Sequence, residues 1–122
     1  MKTFKFLSAL TVFLYSLSVY AADVTGTWTA SFDTQIGQQN YTYDFKVDGM
    51  NLTGTITTAN GEAALTEGMV HGNEVMFTET LKYQGQDLKI TYKGNIVSDD
   101  EISFTRNVAG LADEKLTATR SK

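Results

Sequence analysis

The chain has 122 residues, no cysteine, no proline and a formal net charge of −4 at neutral pH. That length supports one hydrophobic core and not two, and the lack of cysteine excludes a disulfide framework, so stability must come from packing. The acidic balance argues against nucleic acid as a partner, because a phosphate-binding surface needs the opposite sign.

The first 21 residues are expected to be a cleaved signal peptide. Lys2 and Lys5 give a positive start, Phe6 to Leu17 an apolar run, and Val19-Tyr20-Ala21 a small-x-Ala cleavage signature. A membrane span competes for this stretch, but spanning needs about 20 apolar residues and several serines interrupt it. Removal leaves one domain, residues 22–122, secreted or periplasmic, with no membrane contact expected. It keeps eight basic residues against fourteen acidic ones, a charge of about −6.

From Val24 onward the dominant period is two, the mark of strands with one buried face. Val24, Gly26, Trp28, Ala30 and Phe32 share one face of the first strand, with threonines and Ser31 on the other. After a loop over Gln35 to Asn40, Tyr41, Tyr43, Phe45 and Val47 point inward in the second strand, and Asp48-Gly49 gives a hairpin turn. Leu52, Gly54 and Ile56 carry the third strand to Asn60-Gly61, a second turn of the same chemistry. In residues 62–71, Leu65 and Met69 fall out of phase, which predicts a bulge near Gly68. The fifth strand sets Val75, Phe77, Leu81 and Tyr83 inward, the sixth Leu88, Ile90, Tyr92 and Ile96, and the seventh Ile102, Phe104 and Val108. The eighth runs from Lys115 with Leu116 and Ala118 inward. Eight strands joined by short turns predict an all-β fold, an eight-stranded antiparallel up-and-down β-barrel, because closure removes the exposed edges of an open sheet. Such a barrel is filled by side chains or holds one small ligand.

Three charged side chains fall in the inward phase: Glu79, Arg106 and Arg120. Buried charges must be paired, since desolvation costs several kcal/mol per ion; Glu79 and Arg106 are the expected pair. They either anchor a ligand in a cavity lined by Tyr43, Tyr83 and Tyr92, or form an internal ion pair that fills the barrel. His71, the sole histidine, sits beside the Gly72-Asn73 turn and is expected to be an exposed residue, not part of a Ser/His/Asp set. Glu67 would join Glu79 as a catalytic carboxylate pair only if the bulge turned it inward. Asp99-Asp100-Glu101 reads as a solvated acidic turn, with weak calcium binding as the alternative. No metal-ligand cluster and no cofactor motif stands in the sequence.

Gly26-Thr27-Trp28 resembles the first-strand Gly-x-Trp of the calycin superfamily, which includes lipocalins and avidins. In lipocalins that tryptophan packs under the barrel floor against a basic residue of the last strand, and Arg120 stands in the matching place here. The resemblance therefore implies a structural role for Trp28 and Arg120: a guanidinium on an indole face, a contact of roughly 1 to 2 kcal/mol. The chain departs from both families. Thr29-Ala30-Ser31 replace the biotin-binding residues of avidins, and no segment remains for the C-terminal helix of lipocalins. The domain also resembles a short, uncharacterised secreted bacterial domain sometimes attached to carbohydrate-active enzymes, through Val24 to Phe32, Phe45 to Thr55 and Tyr92 to Arg106.

Three functions follow from these residues. The first is a secreted module binding a small molecule or a saccharide through Glu79, Arg106 and the inward tyrosines. The second is a periplasmic interaction or inhibitor protein acting through its loops, for example Gln35 to Asn40. The third is a small barrel enzyme using Glu79 and Arg106 for acid/base work, which ranks last because an arginine neighbour weakens a carboxylate as a base.

Overall fold

A computed structural model describes residues 23–121; the signal peptide expected over 1–21 lies outside the described residues. The described residues form β1 (Gly26–Thr34), β2 (Gly37–Asp48), β3 (Asn51–Thr58), β4 (Gly61–Ala64), β5 (Thr66–His71), β6 (Glu74–Tyr83), β7 (Gln86–Ser98), β8 (Glu101–Val108) and β9 (Ala112–Arg120). Every pairing is antiparallel, neighbours in sequence pair in turn except β4 and β5, which both pair with β3, and β1 pairs with β9 to close the sheet. The result is an eight-stranded up-and-down barrel in which β4 and β5 together occupy the fourth position.

The bulge expected near Gly68 lies within β5, just after the break from β4 at Leu65. Thr66 pairs with Thr78 but Met69 with Met76, a shift of one residue. The shift puts Leu65 and Val70 in the core and leaves Met69 exposed, which resolves the broken alternation. Only glycine fits at 68, because a Cβ there would lie 2.1 Å from the Leu52 carbonyl oxygen.

Two strand boundaries differ from expectation, and both bear on function. The supposed loop Gln35 to Asn40 is mostly strand: β1 runs to Thr34 and β2 starts at Gly37, because Asp33 to Thr34 and Gly37 to Gln38 pair in register right up to a tight turn. The last strand starts at Ala112 rather than Lys115, so its inward phase includes Glu114.

The alternating faces collapse onto one core. Trp28, Tyr43, Phe77, Tyr92 and Phe104 are all buried, and the rings of the last four interlock: Phe77 stacks on Tyr92 at 4.2 Å, while Tyr43 meets both edge-on at 5.8 and 5.9 Å. Gly94, opposite Phe104 on β7, makes room for this cluster; a Cβ there would stand 2.5 Å from the Phe104 ring. The middle of the barrel is therefore solid.

One end is closed as well. The Arg120 guanidinium lies 4.5 Å from the centre of the Trp28 ring and donates to the carbonyls of Asp99, Thr25 and Asp23. The Trp28 indole donates to the Val24 carbonyl at 2.9 Å. The first strand, last strand and β7–β8 turn are thus tied together by one side chain, and the acidic turn contributes its Asp99 carbonyl to that tie.

Candidate functional site at the open end of the barrel

The other end carries the turns β1–β2, β3–β4, β6–β7 and β8–β9, and here the interior opens into a cavity of about 280 Å³. Thr34, Gln35, Gln39, Thr58 and Asn60 form a polar wall, and Leu81, Leu88, Ile90, Val108 and Leu111 an apolar one. Ile36, Tyr83 and Leu111 stand at the rim with large exposed surfaces, Leu111 at 81%. Tyr41, Arg106 and Glu114 close the bottom.

These three side chains are the upper part of a polar network that continues into the barrel. Arg106 on β8 and Glu79 on β6 both point inward, and the guanidinium meets the carboxylate at 3.2 Å. Tyr41 donates to one oxygen of Glu79 at 2.9 Å and Tyr92 to the other at 2.8 Å. Since the Tyr92 proton is committed to Glu79, the 3.0 Å contact between the Tyr43 and Tyr92 hydroxyls must be a donation from Tyr43. Arg106 donates through Nε to Tyr92, through Nη2 to Tyr41 and Glu79, and through Nη1 to Glu114, its direct register partner on β9. Phe32, Tyr41 and Tyr92 present their rings within 5.5 Å of its carbon. Among the described residues, no buried side-chain nitrogen or oxygen lacks a partner.

Burial raises the pKa of Tyr41, Tyr43 and Tyr92, and the charge of Glu79 pushes all three the same way. Burial works against the Arg106 charge, but the oxygens of Tyr92, Tyr41 and Glu79 outweigh it, so its pKa rises above the ordinary arginine value. The network is a cation fixed between two acids and wired to three phenols.

The sequence-predicted residues thus separate by depth. Glu79, Arg106, Tyr43 and Tyr92 come together, but Tyr43 and Tyr92 lie in the packed core below the cavity instead of lining it, because β2 and β7 carry them to mid-barrel height. Tyr83 does line the cavity, yet at its rim, 39% exposed and apart from the other two, because it ends β6. Trp28 and Arg120 sit at the opposite, closed end. Glu67 faces outward, where the Thr78 hydroxyl at 2.8 Å and Lys89 at 3.6 Å lower its pKa, so it does not pair with Glu79. His71 is exposed at the end of β5. Sequence reasoning missed Glu114 and gave Tyr41 no site role; both stand in phase with neighbours already placed inward, Leu116 and Tyr43.

Among the described residues, no three His, Cys, Asp or Glu side chains are grouped to hold a metal ion. Comparison of the chain with protein-family models and with curated proteins finds no match.

Proposed function

We propose that the protein is an exported small-ligand-binding barrel of calycin type, taking its ligand into the open end above Arg106, Glu114 and Tyr41. The observation that carries this reading is the coincidence of the cavity with the buried polar network. A plug that only filled the barrel would be more stable built from apolar side chains, because desolvating ions costs several kcal/mol each. Here the polar groups stand where the cavity begins, and two apolar residues, Ile36 and Leu111, stay exposed around its mouth. Apolar walls with a few convergent polar groups are the usual composition of a small-molecule site. The contact of Arg120 with Trp28 supports the calycin likeness.

Neither alternative draws comparable support. An inhibitor acting through Gln35 to Asn40 would need a projecting loop, and that segment is a tight turn between paired strands. An enzyme using Glu79 would need substrate to touch it, whereas Tyr41, Tyr92 and Arg106 occupy both its oxygens.

The test is native mass spectrometry of the protein purified from its own host. A polypeptide mass matching residues 22–122, with a stoichiometric small molecule that denaturation releases, is expected. A bare polypeptide that also fails to take up the uncharged apolar dye N-phenyl-1-naphthylamine overturns ligand binding, and a retained residue 1–21 segment overturns export by this signal.

A further inference from the structure

We infer that the cavity selects a small apolar molecule carrying a cationic, ammonium-type head and rejects anionic ligands. This rests on the ligand-binding reading above and adds the charge class of the ligand.

The floor decides the sign. Two carboxylates, Glu79 and Glu114, share one guanidinium, so at formal charges the cluster carries a net −1. Four of the five Arg106 N–H groups are committed, Nε to Tyr92, one of Nη1 to Glu114 and both of Nη2 to Tyr41 and Glu79, and three aromatic rings crowd its carbon. A ligand carboxylate reaching for the remaining Nη1 hydrogen would meet the Glu114 carboxylate held by the same nitrogen, or would have to displace it and leave that acid without its partner. Glu114 is the outermost member of the cluster. Its side chain is 11% exposed against 5% for Glu79, it lines the cavity while Glu79 does not, and it binds Arg106 through Oε1, which leaves Oε2 for a ligand. The group a ligand meets at the bottom is therefore a hydrogen-bond acceptor with negative charge, suited to an ammonium.

Two further observations agree. The mature domain carries a charge of about −6, which draws cations toward it and repels anions. The cavity, about 280 Å³, falls just below the roughly 300–1,000 Å³ of pockets for drug-sized ligands, so the occupant is a compact molecule whose apolar body lies against Leu81, Leu88 and Val108.

The experiment compares three near-isosteric probes by calorimetry at neutral pH on the purified protein: 2-phenylethylamine, 2-phenylethanol and phenylacetate. The amine is expected to bind, the alcohol roughly tenfold more weakly, and the acid not at all, as a single desolvated charge contact would give. Glu114→Gln removes the excess charge while keeping an acceptor for Arg106, so it is expected to abolish the amine's advantage over the alcohol and to admit the acid. Equal or tighter binding of phenylacetate by the natural protein overturns the inference and leaves ligand binding standing. Failure of all three probes while the uncharged dye still binds does the same. Failure of the probes and the dye together overturns both. The ranking in the natural protein decides the matter even if Glu114→Gln fails to fold.

Discussion

Arg106 and Glu114 are direct register partners across β8 and β9, and the guanidinium donates to that carboxylate while its other nitrogen holds Glu79. One cation serving two acids makes the three residues unequal. Arg106→Met leaves the buried Glu79 and the part-buried Glu114 side by side without a counter-charge and is expected to cost about 3–5 kcal/mol in urea unfolding. Glu79→Gln leaves Arg106 still paired with Glu114 and is expected to cost about 1–3 kcal/mol, the range for an impaired buried hydrogen-bond set. The double variant should be less damaged than the sum of the two. An Arg106→Met protein no less stable than Glu79→Gln would show that the acids do not depend on the guanidinium.

Alkaline pH should unfold the barrel through its phenols. Tyr41, Tyr43 and Tyr92 have pKa values raised in the fold, burial being the main cause in each. An unfolded tyrosine titrates near 10. Below that pH both states keep the phenol protons and the stabilisation is fully present. Above it the unfolded chain releases protons that the barrel retains, so stability falls as pH rises toward the folded-state values. Urea midpoints should hold level up to about pH 9.5 and then drop, less steeply in Tyr92→Phe. Phenolate absorbance from these three residues in a barrel that remains fully stable would contradict this.

The same network shows what the sequence could and could not disclose. Alternation tells which face a side chain occupies, and on that basis Glu79 and Arg106 stand out as charges in an apolar phase. It does not tell depth along the barrel axis. Tyr43, Tyr83 and Tyr92 share the inward face, yet two lie in the packed middle and one at the rim. Glu114 is hidden in the sequence because Leu111-Ala112-Asp113 reads like the continuation of a turn, and a strand begun at Lys115 just excludes it. Once pairing with β8 extends the strand to Ala112, Glu114 falls two places before Leu116 and must point inward. The bulge is legible for the opposite reason. A strand that loses its phase beside a glycine must either end or take in an extra residue, and the apolar residues on both sides of Gly68 require it to continue.

Arg120→Lys is expected to destabilise the barrel by about 1–3 kcal/mol without changing probe binding at the far end. The guanidinium covers the Trp28 ring and donates to three backbone carbonyls at once. A lysine ammonium keeps the charge but cannot reproduce a planar fork that stacks and donates together. Thermal melting followed by the fluorescence of Trp28, the only tryptophan, reads this directly. A variant as stable as the parent would reduce the closed end to ordinary packing.

Gly94→Ala should cost about 1–3 kcal/mol through overpacking, since the new methyl would meet the Phe104 ring at 2.5 Å. Shortening the neighbour should restore the space. The pair Gly94→Ala, Phe104→Leu is therefore expected to be more stable than the sum of its single variants, a coupling that a double-mutant cycle measures. Strict additivity would mean that the ring moves aside freely and that Gly94 is not needed to fit it.

Leu111 offers the opposite test, because it is exposed and touches the site rather than the core. At 81% exposure it has little burial to lose, so Leu111→Ser is expected to change stability by no more than about 0.5 kcal/mol. It nevertheless removes apolar surface from the rim of the cavity, beside Val108 and Ala112. Affinity for N-phenyl-1-naphthylamine should fall several-fold while the urea midpoint stays put. Val97→Ser is the control: that residue is also exposed, 60%, but belongs to the closed end of β7 and does not line the cavity. If both variants weaken the dye equally, the dye binds the outer surface, and the open end loses its claim as the site of binding.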